Sequence, residues 1–303
     1  MKRYNSFSDY LKKKYGCKVY KVSIDAGFTC PTRDGTRSDK GCIYCDDTGS
    51  RAPYCDRSLD IGDQVRRGIE LMKKRYKARK FMAYFQAYSN TYAPAHELKE
   101  IYDRALIDGD IVGLSISTRP DCVNRENVEV IGDYARKYEV WIELGFQSFN
   151  DRTLKAINRG HGANENYKAV ELIKKNGGIK ICGHIILGLP GEENKDHIAA
   201  AKEINRLGID GVKIHNLHIL KETTAEHMYR KGEIRLPGMD EYVGSVCDLL
   251  EHIDPKIIIQ RLTGDASPER LIAPEWTNQK AVILKMIDEE LERRGSKQGA
   301  DRA

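Results

Sequence analysis

The sequence predicts an α/β protein built as an open, partial (β/α)6 barrel with short N- and C-terminal extensions. Three observations point there. Apolar runs of strand length alternate along the chain with longer stretches whose apolar residues recur at helical spacing, the pattern of parallel strands joined by helices. About six such units, each of roughly 30 residues or more, fall short of the eight that close a barrel. No P-loop and no complete G-x-G-x-x-G follows the first strand, so the nucleotide-binding sheets that share this alternation have no fingerprint here.

The elements follow in order. "KVYKVSI" (18–24) reads as the first strand and "IGDQVRRGIELMKKRY" (61–76) as a helix, with Ile61, Val65, Ile69 and Met72 on one face. "FMAYFQAY" (81–88) is a strand before the helix "PAHELKEIYDRALID" (94–108). "IVGLSIST" (111–118) leads to the helix around "ENVEVIGDYARKY", and "VWIELGFQS" (140–148) leads to "DRTLKAIN". "IKICGHIILGLPG" (179–191) precedes the helix "KDHIAAAKEINRLG", and "GVKIHNLHIL" (211–220) precedes a last helical region from 240 onward. One barrel domain is expected over 1–292, with "RRGSKQGADRA" (293–303) as a disordered tail.

Of the 303 residues, 40% are hydrophobic, enough for a sizeable core, and no window approaches the roughly 18 apolar residues of a membrane span. The opening "MKRYNSFSDYLKKKYG" lacks the apolar centre of a secretory signal, so a soluble, cytoplasmic protein is expected. Eight cysteines at irregular intervals in a chain this long fit reduced thiols or metal ligation better than a disulfide scaffold. The net charge is +5, and its cations cluster at 11–16, at 73–80 and at Arg293 and Arg294. Such clusters can track phosphates or can be an ordinary solvated helix face.

The first strand runs out into "CPTRDGTRSDKGCIYC" (30–45), which holds Cys30, Cys42 and Cys45. A disulfide would strand one of them, a thiol redox pair needs two, and zinc wants a fourth ligand, which Cys55 could complete. Thiolates also hold iron–sulfur clusters, where a missing fourth ligand leaves one iron open. The other strands end in "FQAYSNTY", "SISTRPD", "ELGFQS", "GHIILGLPGE" and "HNLHIL", polar where buried strands are usually Val, Ile and Leu. In parallel α/β architectures reactive residues gather at those ends, so a polar ligand is expected there. Cys17, Cys55, Cys122, Cys182 and Cys247 read as buried thiols, Cys55 being a weaker candidate for metal or redox work.

The C-x11-C-x2-C run, with Tyr44 before its last cysteine, resembles a variant of the radical S-adenosylmethionine (radical SAM) superfamily motif. With "YFQAYSNTYAP", "GLSISTRPD", "ELGFQSFNDRTLKAINRGH", "GHIILGLPGE" and "RLTGDASPERLIAP", the chain closely resembles the YhcC/YtqA subgroup from about Tyr4 to about Leu291. That subgroup is related to the Elp3 catalytic subunit and to oxygen-independent coproporphyrinogen oxidase. The resemblance implies a [4Fe–4S] cluster held by Cys30, Cys42 and Cys45, with S-adenosylmethionine chelating the open iron and yielding a hydrogen-abstracting 5′-deoxyadenosyl radical. It also implies a low-potential electron donor such as flavodoxin or ferredoxin. Gln86, Ser89 and Asn90 would hydrogen-bond the methionyl amino group, while Ser117 and Arg119 would take its carboxylate or the ribose. Gln147 matches the glutamine of related enzymes at the ribose hydroxyls. His184 stands where the coproporphyrinogen enzyme has an aspartate, and Gly188 would let the backbone approach the adenine. The second-strand motif departs from the superfamily in lacking its usual paired glycines and glutamate.

Three functions compete. The resemblance implies a tRNA substrate, in the step that takes a wobble-uridine carboxymethylaminomethyl group to aminomethyl, with the basic stretches Lys12–Lys14 and Lys73–Lys80 gripping phosphates round the barrel mouth. A radical enzyme on a small metabolite or tetrapyrrole is the second reading, and a non-catalytic cluster-binding protein is the third.

Overall fold

The computed structural model describes residues 2–52 and 54–301. Its frame is one sheet of seven parallel strands. Strands β1 (Val19–Ile24), β2 (Lys80–Phe85), β3 (Ile111–Thr118), β4 (Glu139–Gln147), β5 (Lys180–Leu187) and β6 (Gly211–Asn216) lie side by side in chain order. A short β7 (Ile219–Leu220) follows, β8 (Ile258–Arg261) joins the sheet beside β6, and β9 (Leu271–Ala273) pairs antiparallel with β7. The sheet is strongly curled: Lys21 on β1 reaches Gln260 on β8, at the opposite edge, in a 2.8 Å hydrogen bond. It is a partial barrel, with one more strand than the expected six. The extra strand came from an apolar run, Ile257–Ile259, inside the region read as helical; a run that short has too little periodicity to separate strand from helix.

The helices α1 (Phe7–Tyr15), α2 (Ile61–Tyr76), α3 (Ala95–Asp103), α4 (Arg125–Ala135), α5 (Asp151–Ala156), α6 (Ala163–Asn176), α7 (Asn194–Leu207), α8 (Thr224–Arg230), α9 (Met239–His252) and α10 (Lys280–Arg293) supply the crossovers and flanks. Helices α1, α6 and α8 are additional to those expected from the sequence. In α2, Asp60 caps the N-terminus by accepting from Gly62 N at 2.7 Å, and Ile61, Val65, Ile69 and Met72 are buried together as their spacing predicts. Gly68 sets how closely this helix lies on β1, since a Cβ there would come within 2.3 Å of Val22 Cγ1.

Alternate strand residues face into the barrel, and they form layers. At the bottom Met82, Trp141, Cys182 and Ile258 pack with Leu11, so α1 plugs the N-terminal end. Tyr10 and Trp141 both donate to Glu139, at 2.6 and 3.0 Å, and Lys14 pairs with the same carboxylate. The plug closes the N-terminal end and leaves the barrel a cup that opens toward the C-terminal ends of its strands. Ser6 bridges to Ile259, covering the free edge of β8.

The topology corrects two expectations. Helices α1 and α2 end just before the strands they precede, so Lys12–Lys14 and Lys73–Lys80 lie at the closed end, opposite the mouth. Residues 294–301 are also no loose tail: Arg294 pairs with Asp248, Glu251 and Glu290, Gln298 is buried, and Gly299 N and Asp301 N donate to Leu250 O and Glu251 O. Composition hid this, because the contacts are polar and formed with distant helices. The final two residues of that stretch lie outside the described range. Among the described residues no helix is long and apolar enough to cross a membrane.

Candidate active site

The cysteine loop is folded by its own turns and by two strand-end segments. Gly41 N donates to Thr32 O at 2.7 Å, and Cys45 N to Cys42 O at 3.0 Å. From the segment after α5, Asn158 donates to Gly41 O at 2.6 Å and Arg159 reaches Cys42 Sγ at 3.6 Å and Gly145 O at 2.6 Å. From the end of β3, Arg119 forms a two-point pair with Asp121, at 2.9 and 3.0 Å, and donates to Arg159 O at 2.6 Å and Thr32 Oγ1 at 3.4 Å. Arg119 therefore pins the loop, and its fork is already filled by Asp121. A carboxylate or ribose, the ligand expected for it, would have to share the guanidinium with Asp121.

Cys30, Cys42 and Cys45 are all free thiols. Thr32 Oγ1 lies 3.4 Å and Ser89 Oγ 3.6 Å from Cys30 Sγ. Burial opposes ionisation of Cys30, but the Arg119 guanidinium and these hydroxyls outweigh it and hold the thiol below its ordinary value. Burial instead pushes Cys45 up to about 12. Among the described residues no three His, Cys, Asp or Glu side chains converge on a single ion. Thiolates on an iron–sulfur cube each take a different iron and need no common point, so the donor set fits such a cluster. Cys55, buried, donates to Ser23 O at 3.0 Å and is also pushed up to about 12, which leaves it a packing thiol. Cys122, Cys182 and Cys247 are buried as expected, while Cys17 is half-buried.

The other expected residues divide into two groups. Ser89 stands beside Cys30, and next to it Asn90 Nδ2 donates to Ala87 O and Ser117 O, its buried Oδ1 having no partner among the described residues. Gln147, at φ +65° on a bulge ending β4, sits over Gly145, where a Cβ would come within 2.7 Å of its amide and 2.9 Å of Arg159. It also lines a cavity of about 330 Å³ with Ser148, Glu192 and His197. Gln86 is spent on structure, donating to Ser50 O at 2.8 Å. Gly188 has φ +86°, and a Cβ would meet Pro237 Cδ at 2.9 Å, so the turn and that contact account for the glycine.

Ser117 and His184 belong to the lumen, where they meet residues the sequence reading had not singled out. Fully buried Glu143 accepts from Ser115 (2.5 Å), Tyr84 (3.0 Å), Ser117 (3.4 Å) and His184 (2.9 Å), and pairs with both Lys21 and Lys213. Burial alone would raise the Glu143 carboxyl; the two lysines and His184 overcome that and hold it well below its usual range. Burial, then Lys213, pushes His184 down to about 4, so its ring is neutral at pH 7. The available signal was a period of two: Lys21, Tyr84, Ser115, Glu143, His184 and Lys213 all occupy inward positions of otherwise apolar strands.

A family model described as the radical SAM superfamily matches residues 34–204, more than half of the chain. This chain belongs to the radical SAM superfamily. A radical SAM C-terminal domain matches residues 209–293, and Cys30 lies just ahead of the first match. The protein YtqA of Bacillus subtilis is 41% identical over 298 residues, covering 98% of this chain and 92% of its own length. A tRNA uridine(34) acetyltransferase of Methanocaldococcus infernus is 32% identical over 149 residues, which is 48% of this chain and 27% of that protein. The solved structure of Methanocaldococcus infernus Elp3 aligns over 92% of this chain and 64% of its own, with TM-score 0.71 at 19% identity, a likeness of fold. This is a radical SAM enzyme, and the cofactors of its superfamily are a [4Fe–4S] cluster and S-adenosylmethionine.

Proposed function

We propose that this radical SAM enzyme acts on tRNA, in the conversion of a wobble-uridine carboxymethylaminomethyl group to aminomethyl. The observation that carries the reading is the likeness of half the chain to a tRNA uridine(34) acetyltransferase, supported by a cup with an opening at the cysteine loop. Cys30, Cys42 and Cys45 hold the cluster, and with S-adenosylmethionine it supplies a hydrogen-abstracting adenosyl radical when bound. The chain's own residues position and shield. Ser89, Thr32 and Arg159 hydrogen-bond the thiolates, the free Asn90 Oδ1 suits an ammonium donor, and Gln147 suits ribose hydroxyls.

Phosphate contacts fall to cations on the mouth side: Lys40 and Arg57 in the segment after β1, and Arg152 and Lys155 on α5, all exposed. Electrons come from a low-potential donor such as flavodoxin or ferredoxin, in the cytoplasm. The test is the nucleoside composition of tRNA from a deletion strain and its parent. The strain should accumulate the carboxymethylaminomethyl nucleoside at the expense of aminomethyl and its products. Identical profiles would overturn the tRNA reading in favour of a small-metabolite substrate.

A further inference from the structure

The floor of the cup carries more positive charge than it can balance. Lys21 and Lys213 each make an ion pair with Glu143, and among the described residues with no other carboxylate. Their side chains are only 17% and 7% exposed. Tyr84 lies between them, its ring centroid 4.7 Å from one ammonium and 4.6 Å from the other. The surrounding imidazoles add no further positive charge, because burial pushes His215 well below its ordinary value, as it does His184. A buried, unmatched ammonium is costly, and burial drags the Lys21 value down against the pull of Glu143. Beside this pair two buried nitrogens have no partner among the described residues, Gln260 Nε2 and His215 Nε2, the former on the amide that already accepts from Lys21 at 2.8 Å. The His215 ring lies 5.5 Å from that of His184.

We propose that Lys21 and Lys213, with Gln260 and His215, form a receptor for one carboxylate of the substrate at the floor of the cup. The excess is a single positive charge, which suits a monoanion better than a phosphate dianion. The floor is closed below by α1 and walled by strands, so a nucleic-acid backbone is excluded and the carboxylate would have to come on a slender arm of the substrate. That the carboxylate is the glycine-like arm of a modified uridine rests on the wobble-uridine reading; the receptor itself does not.

The probe is radiolabelled acetate, dialysed against the full chain carrying its cluster, with methylammonium as the cation of similar size. Acetate should be retained and methylammonium should not. Lys213→Met should weaken acetate by about tenfold or more, the loss of a charge-assisted hydrogen bond. Its melting temperature should stay level or rise, because the remaining Lys21–Glu143 pair is neutral. Lys21→Gln, which keeps a donor toward Glu143, reads the same loss of acetate if the first variant does not fold. No acetate on the unaltered protein, or equal binding by the variants, would overturn the receptor. 5-Carboxymethylaminomethyluridine should displace acetate where 5-aminomethyluridine does not. Displacement by neither, with acetate still lost in the lysine variants, would support the receptor and overturn only the assignment of its substrate.

Discussion

The mouth and the floor of the same barrel handle buried charge in opposite ways. At the mouth Arg119 meets Asp121 through two hydrogen bonds, and its remaining donors go to Arg159 O and Thr32, so a guanidinium is almost fully spent on holding the cysteine loop. At the floor two ammonium groups share one carboxylate. A satisfied fork gives rigidity, which a loop carrying three ligands needs. An unsatisfied cation gives affinity, at some expense of stability. Rigidity at the mouth and spare charge below it suit a site that must hold a cofactor still and still admit a substrate.

The largest effect that could break this contrast is at the floor. Glu143→Ala removes the shared partner of two buried lysines and should destabilise the protein by about 3–5 kcal/mol, read from denaturant unfolding. A loss under about 1 kcal/mol would mean that water already screens those lysines. The next effect lies at the mouth, where burial holds the Glu192 carboxyl up to about 7 despite hydrogen bonds from Ser148 and Thr153. Its folded value exceeds the ordinary carboxylate value, so the folded protein binds the extra proton. Stability from this group is complete below about pH 4.5 and declines as pH rises to about 7, by up to about 3 kcal/mol. Glu192→Gln should flatten that part of the stability–pH profile and raise the melting temperature at pH 8.

Arg119→Lys keeps the charge but loses the fork to Asp121, and it should cost about 1.5–3 kcal/mol. Iron and sulfide recovered on anaerobic reconstitution should fall with it, while acetate binding at the floor stays unchanged. A variant that kept a full cluster would show that the loop does not depend on that pin. The smallest effect is expected from Ser89→Ala, which deletes one hydrogen bond to Cys30, worth about 1 kcal/mol. The fold and the iron content should survive. The midpoint potential of the cluster should drop, since a hydrogen bond to a thiolate favours the more negative, reduced state.

Local pattern made the six principal strands, the face of α2 and the run of three cysteines legible in the sequence alone, because alternation, helical spacing and ligand spacing are properties of short segments. The family motifs are equally local, and the chain was identified by them. The seventh strand escaped because Ile257–Ile259 is too short for periodicity to speak, and the docked tail escaped because its partners, Asp248, Glu251 and Leu250, lie tens of residues away. Closure of the cup was decided only in three dimensions: α1 had to meet Met82, Trp141 and Cys182, from three different strands, to plug it. The same curling carried Lys21, Glu143 and Lys213 to one point and sent Lys73–Lys80 to the wrong end for the mouth. A charge in a sequence has a sign and a spacing. Whether it faces a partner, a ligand or water depends on strand order and register, which are settled by the packing of the whole sheet.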